Sequence, residues 1–136
     1  MHERSADKSN ELALAGRFAR QWSVEAVESP PFCPVDGAFF NKEKPLAFFE
    51  CKTRDYKLSS LDSVWVDVEK IQKSLLAAAN KRIKYFLLFS FRDGDFYCRV
   101  ENPAKWPTRR AKNNNPRDKN DNDEVYCIPK QEWVKL

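Results

Sequence analysis

Two short apolar runs separated by a polar break constrain this chain more than any other stretch. Residues 37–40 and 45–49 are almost entirely apolar, and residues 41–44 between them are polar. Four residues leave no room for a helix, so the pattern predicts two adjacent antiparallel strands.

Charged residues cluster at the polar end of the second predicted strand. Because successive side chains of a strand point to opposite faces, Glu50 and Lys52 should share one face, opposite Phe49, Cys51 and Thr53. If the hairpin brings Asp36 alongside, two carboxylates and an amine meet at one sheet edge, where burying unpaired charge costs free energy. These are the groups that a magnesium-dependent phosphodiesterase needs: oxygen ligands for a hard cation, and a lysine that holds or deprotonates the attacking water.

The spacing of these groups resembles the signature of the PD-(D/E)xK nuclease superfamily. Glu50 follows fourteen residues after Asp36, Lys52 comes two residues later, and Pro34 lies one place earlier than in the usual Pro-Asp pair. The resemblance implies a restriction-endonuclease-like α/β fold, with a mixed central sheet of about five strands flanked by helices. It also implies metal-dependent hydrolysis of DNA phosphodiesters.

The resemblance further implies which residues carry the chemistry. The catalytic side chains would be those of Glu11, Asp36, Glu50 and Lys52. A Mg²⁺ ion, for which Mn²⁺ could substitute, would take ligands from Glu11, Asp36, Glu50 and the backbone carbonyl of Cys51.

The third acid is less constrained than the hairpin residues. Glu11 matches the superfamily's acid on the first helix, but a carboxylate on a first helical turn is also favoured by the helix dipole alone. Glu25 and Glu28, on a predicted strand within residues 23–29, are competing candidates.

Periodicity predicts the other elements. The first helix should begin near residue 11, capped by Ser9 or Asn10, and a long helix should run from a cap at Ser60 or Asp62 to about residue 81. A buried strand over 84–91, its hairpin partner over 96–100 and a last edge strand over 125–128 complete the sheet. Residues 102–124 are predicted to be a polar, flexible loop.

Composition excludes several other classes of protein. The 136 residues are 42% hydrophobic and 13% aromatic, which predicts one globular domain over residues 1–136. The chain lacks a membrane-length apolar run or a signal-peptide segment, so it should be soluble and cytoplasmic, in the host cytoplasm if it is phage-encoded. With one histidine and four widely spaced cysteines, neither a zinc site, a disulfide scaffold nor a histidine-dependent hydrolase is expected.

Basic residues point to a polyanionic partner. The net charge is +4, and the candidate phosphate contacts are Arg54, Lys57, Lys70, Lys73, Arg109 and Arg110. The superfamily often places a lysine or glutamine of the second helix in the site, which leaves Lys70, Gln72 and Lys73 open for that role. Part of the 102–124 segment could instead be a basic arm that settles on DNA phosphates.

The sequence therefore predicts a Mg²⁺-dependent deoxyribonuclease. Its size and the helix after the motif look most like a Holliday junction resolvase or a phage endonuclease, which implies DNA, with branched DNA as one form, and a homodimer. The alternative is a nucleic-acid-binding module that keeps the nuclease fold without catalysis.

Overall fold

A computed structural model describes residues 5–30, 33–112 and 122–136. These residues form two helices, α1 (Ser5–Trp22) and α2 (Val68–Asn80). Their nine strands are β1 (Glu25–Glu28), β2 (Gly37–Asn41), β3 (Lys44–Thr53), β4 (Ser63–Asp67), β5 (Lys84–Phe91), β6 (Gly94–Arg99), β7 (Thr108–Lys112), β8 (Asn122–Pro129) and β9 (Val134–Lys135). Short 3-10 turns cover Leu58–Ser60, Pro103–Lys105 and Lys130–Glu132.

The described strands form two sheets. The larger has six strands in the order β1-β2-β3-β5-β6-β9, and the smaller has the order β4-β8-β7. In the larger sheet β3 and β5 run parallel while the other neighbours are antiparallel. The prediction of a mixed α/β fold with helices against a central sheet is confirmed. None of the helices in the described ranges is long and apolar enough to cross a membrane.

The β2–β3 hairpin has the form predicted from the sequence. Its turn places Lys42 at a φ of 58°, in the left-handed region that tight hairpin turns use. Beside the hairpin's base, a Cβ added to Gly37 would lie 2.4 Å from the ring of Phe49 and 2.5 Å from the carbonyl oxygen of Val27. Glycine is therefore required where β2 begins, directly after Asp36.

The two faces of β3 pack against different helices. Phe49 and Cys51 are buried with Leu14 and Phe18 of α1, which recur at the spacing of a helical stripe. On the α2 side, a second core contains Ile71 together with residues of both sheets. The predicted alternation along β3 therefore holds, and it leaves Glu50 on the α2 side.

The first helix begins earlier than predicted. It starts at Ser5 rather than near residue 11. Residues 5–10 are polar apart from Ala6 and show no apolar periodicity, so hydrophobic spacing does not detect them. They also contain no proline or glycine, so nothing in this stretch stops a helix from extending towards the amino end.

The predicted long second helix is wrong over its first part. Ser63–Asp67 is strand β4, and α2 begins at Val68, where the Asp67 side chain accepts a hydrogen bond from the amide of Glu69 at 3.2 Å. The β-branched and aromatic residues of this strand favour extended structure, and pairing of Val64 with Ile128 of β8 stabilises it.

The predicted loop over 102–124 and the predicted edge strand also need correction. The loop interval contains the turn Pro103–Lys105, strand β7 and the start of β8, while residues 113–121 lie outside the described part. β8 is the centre of the small sheet, and the last strand of the chain is β9. The hydrophobicity pattern did not predict β7, because the strand consists mainly of arginines and a lysine. Its pairing partner β8 also comes later in the chain.

Candidate active site

One cavity is lined by charged side chains from β3 and from the start of α2. It has a volume of about 210 Å³ and is lined by Glu50, Lys52, Arg54, Asp67 and Lys70, with aromatic and aliphatic groups behind them. A cavity of this size holds several water molecules. The cavity has space for a hydrated cation beside a buried carboxylate.

Glu50 is the buried charge of this cavity. It is 4% exposed, its Oε1 lies 2.8 Å from Nζ of Lys70 and 3.8 Å from Nζ of Lys52, and its Oε2 has no hydrogen-bond partner among the described residues. Burial, followed by the nearby charge of Asp36, raises the pKa of Glu50 to about 6 against the pull of the two lysines. The site therefore contains a carboxylate whose ionised form is disfavoured by burial.

Asp36 is held next to Glu50 by the hairpin backbone. Its Oδ2 accepts a hydrogen bond from the amide of Cys51 at 2.8 Å, and its own amide donates to the carbonyl of Phe49 at 3.1 Å. These contacts place the Asp36 carboxylate beside the chain segment that carries Glu50. The charge of Asp36 acts on Glu50, but Asp36 is not among the residues that line the cavity.

Lys70 enters the site from α2. Burial by itself would lower the pKa of Lys70, but the contact with Glu50 outweighs burial. The charges of Asp36 and Glu11 act in the same direction as Glu50, so the pKa of Lys70 rises above its usual value. Lys70 is therefore a permanent cation at neutral pH.

The other candidates on α2 point elsewhere. Gln72 donates through Nε2 to the hydroxyl of Tyr126 at 3.2 Å, and Lys73 pairs with Glu69 at 2.8 Å on the exposed side of the helix. Neither Gln72 nor Lys73 lines the cavity. The packing of α2 thus selects Lys70 from the three possibilities that the sequence leaves open.

The charge of Glu11 acts on both Cys51 and Lys70. Burial raises the pKa of the Cys51 thiol, and the charges of Asp36 and then Glu11 raise it further. Glu25 and Glu28 lie exposed on β1, at the edge of the large sheet.

The donor set of the cavity suits a hard divalent cation. Within the parts of the chain that are described, no three histidine, cysteine or acidic side chains are grouped closely enough to hold a metal. Magnesium does not need such a cage, because it commonly binds through one or two carboxylates and keeps several waters. The buried Oε2 of Glu50, without a hydrogen-bond partner among those residues, is an oxygen that such a cation would satisfy.

The predicted basic residues divide into those near the cavity and those further away. Arg54 lines it, with its guanidinium carbon 5.6 Å from the centroid of the Phe89 ring. Arg109 lies 4.4 Å from the ring centroid of Trp65, which also lines the cavity. Lys57 and Arg110 are exposed residues outside the cavity lining.

Sequence reasoning missed three aromatic residues that line the cavity, Trp65, Tyr85 and Phe89. Trp65 was not predicted as a site residue because its strand, β4, was predicted to be part of a helix. Tyr85 lines the cavity beside Glu50, and its hydroxyl is the single polar side-chain group in the apolar run 85–89, which is the signal that could have found it.

Comparison with known proteins identifies the family. A family model described as "Phage putative PDDEXK endonuclease" matches residues 1–136. The chain belongs to this PDDEXK endonuclease family. The family match confirms the resemblance read from the Asp36 and Glu50-x-Lys52 pattern, and it supports a nuclease.

Structural comparison agrees with a PDDEXK endonuclease fold. The structure of Archaeoglobus fulgidus Hjc, a Holliday junction resolvase from an archaeal hyperthermophile, superposes with a TM-score of 0.54 at 10% sequence identity. The match covers 87% of this chain and 87% of the resolvase chain. At this identity the likeness establishes the fold alone. No curated protein matches the sequence of this chain.

Proposed function

We propose that this PDDEXK endonuclease is a metal-dependent deoxyribonuclease whose active site is the cavity at the end of β3. The observation that carries the proposal is the environment of Glu50. Its carboxylate is only 4% exposed and lies close to two lysines, with the charge of Asp36 nearby. A buried acid with a raised pKa destabilises the fold, so a functional role accounts for its position.

Asp36 and Glu50 would hold a Mg²⁺ or Mn²⁺ ion, together with the carbonyl of Cys51. Since three acids are not grouped tightly enough in the described residues to share one ion, we assign Glu11 to a water-mediated contact. When bound, the ion would polarise a phosphoryl oxygen and lower the pKa of a coordinated water.

Lys52 and Lys70 have different tasks in this proposal. Lys52 lines the cavity with its Nζ 3.8 Å from Oε1 of Glu50, and in this proposal it positions the attacking water and the scissile phosphate. Lys70 is held against Glu50 at 2.8 Å and offsets its charge. Arg54, on the same cavity wall, would bind a neighbouring phosphate of the DNA strand.

The fold suggests two further proposals, one on the form of the DNA substrate and one on the oligomeric state. One solved structure with this fold is that of a Holliday junction resolvase, so branched DNA is one substrate to test. Cutting two strands of a branch would require two active sites, and a homodimer would supply them.

The test is cleavage of linear and four-way branched DNA with Mg²⁺, with Mn²⁺ and with EDTA. Lys52→Ala should lower the rate by roughly 100-fold or more, because positioning of the water and proton transfer are lost. Lys84→Ala is the matched control, since Lys84 is an exposed lysine at the other end of β5, and it should cleave normally.

Two results would contradict the proposal. Cleavage unchanged by Lys52→Ala would exclude this site. Tight DNA binding without cleavage of any substrate under any metal condition would instead favour the non-catalytic binding module.

A further inference from the structure

A second surface with nucleic-acid chemistry adjoins the active-site cavity. Trp65 is 47% exposed and Tyr56 is 40% exposed, and both line a groove of about 610 Å³ beside the small sheet. Aromatic rings usually bury large areas, so two half-exposed rings in one groove offer a contact surface for a ligand. Arg109 lines the same groove.

The small sheet holds Trp65 and Arg109 together. Trp65 of β4 pairs with Cys127 of β8, and Arg109 of β7 pairs with Val125, two residues along the same strand. Residues paired across strands, and those two apart, share a face of a sheet, so both side chains lie on its outer face. There the Arg109 guanidinium carbon lies 4.4 Å from the Trp65 ring centroid.

The position of Trp65 connects this groove to the proposed chemistry. Trp65 lines both the groove and the cavity that contains Glu50 and Lys52. A nucleotide bound next to a phosphate in the cavity would therefore place its base close to the Trp65 ring and the Arg109 guanidinium.

The chemistry of the groove suits a nucleobase. Aromatic rings and guanidinium planes stack on the π-face of any base, and the positive charge of Arg109 also suits the phosphate backbone. Asp62 is the acid among the groove residues. In an intact duplex the base faces are covered by their neighbours, whereas an unpaired nucleotide can offer its face to the ring.

We infer that Trp65 and Arg109 form a stacking platform for a base of unpaired DNA beside the scissile phosphate. The inference rests on the proposed nuclease function. It specifies the substrate class: DNA with unpaired nucleotides, such as single strands, flaps or open branch points, is bound in preference to intact duplex.

The test measures binding in EDTA, so that it does not depend on cleavage. Fluorescence anisotropy compares a labelled single strand with a duplex of the same sequence. The wild type should prefer the single strand. Trp65→Ala should lose roughly tenfold in single-strand affinity and change duplex affinity less than about twofold, whereas Trp65→Phe should keep most of the preference.

Matched variants separate stacking from charge and from folding. Arg109→Ala should also weaken single-strand binding, whereas Arg20→Ala, which removes an exposed arginine from α1, should leave the preference unchanged. Thermal unfolding of each variant checks that the fold is retained, and the Trp65→Phe comparison keeps an aromatic ring in place if the alanine variant unfolds.

Two outcomes would overturn the platform. One is a wild type without preference for unpaired DNA. The other is a Trp65→Ala variant that keeps the preference or loses both affinities equally. If the preference depends on Trp65 but no DNA is cleaved, Trp65 binds unpaired DNA and the nuclease proposal fails. If cleavage depends on Lys52 but the preference is independent of Trp65, the platform alone fails.

Discussion

Replacing Glu50 by glutamine should make the metal-free protein more stable at neutral pH while removing the proposed activity. In the native protein the pKa of Glu50 is raised from the usual 4.5 to about 6, chiefly by burial. Below pH 4.5 the group is protonated in both the folded and unfolded states. As the pH rises from 4.5 through 6, the unfolded chain ionises first, so the wild type loses stability relative to a neutral glutamine.

The size of the effect follows from the two pKa values. The difference between 4.5 and about 6 corresponds to about 2 kcal/mol of unfolding free energy once the pH is above 7. Glu50 is only 4% exposed, so solvent screening reduces this figure little. The raised pKa already includes the attraction of Lys70 and Lys52. For a chain of 136 residues, about 2 kcal/mol corresponds to roughly 7 °C in melting temperature.

The assay is urea and thermal unfolding of wild type and Glu50→Gln in EDTA at pH 4.5 and pH 7.5. Glu50→Gln should be the more stable protein at pH 7.5, and the gap should shrink at pH 4.5. Glu69→Gln is the control, because Glu69 is exposed and paired with Lys73 on the surface, and it should change stability little at either pH.

Two results would refute the reasoning. If Glu50→Gln is less stable than wild type at pH 7.5, then Glu50 is net stabilising through its lysines. A stability difference that is the same at both pH values would show that packing of the amide, rather than the charge, is responsible.

Three further predictions concern the same site. Lys70→Ala should destabilise the protein at pH 7.5 more than at pH 4.5, because it removes the closest cation from ionised Glu50, and unfolding curves at the two pH values check this. Adding Mg²⁺ or Mn²⁺ at ten times its Kd should stabilise the wild type by about 1.4 kcal/mol and Glu50→Gln much less, as measured by thermal shift. Gly37→Ala should cost about 1–3 kcal/mol in unfolding free energy and lower cleavage, because its Cβ would meet Phe49 and the carbonyl of Val27.

The hairpin and its charged residues could be predicted because the information is local. β2 and β3 follow each other directly, and alternation along β3 decides which side chains share a face. The same holds for β5 and β6, which are joined by a tight turn. Sequence periodicity and turn residues suffice wherever a strand's partner is its neighbour in the chain.

The small sheet could not be predicted by the same reasoning. Trp65 of β4 pairs with Cys127 of β8, a partner far along the chain. The apolar residues of β4 also fit the apolar stripe of the helix that begins directly after it at Val68, so periodicity predicted strand and helix as one helix. The position of Trp65 beside the cavity was hidden for this reason.

The sequence by itself determined that Glu50 and Lys52 share one face of β3, because the two-residue period of a strand leaves one arrangement for them. Only the tertiary structure decided that Lys70 rather than Lys73 reaches Glu50, since both lie on one helix and its packing against the sheet sets which side faces the cavity. The same packing buries Glu50 and thereby raises its pKa, because burial removes the water that would otherwise stabilise the charge.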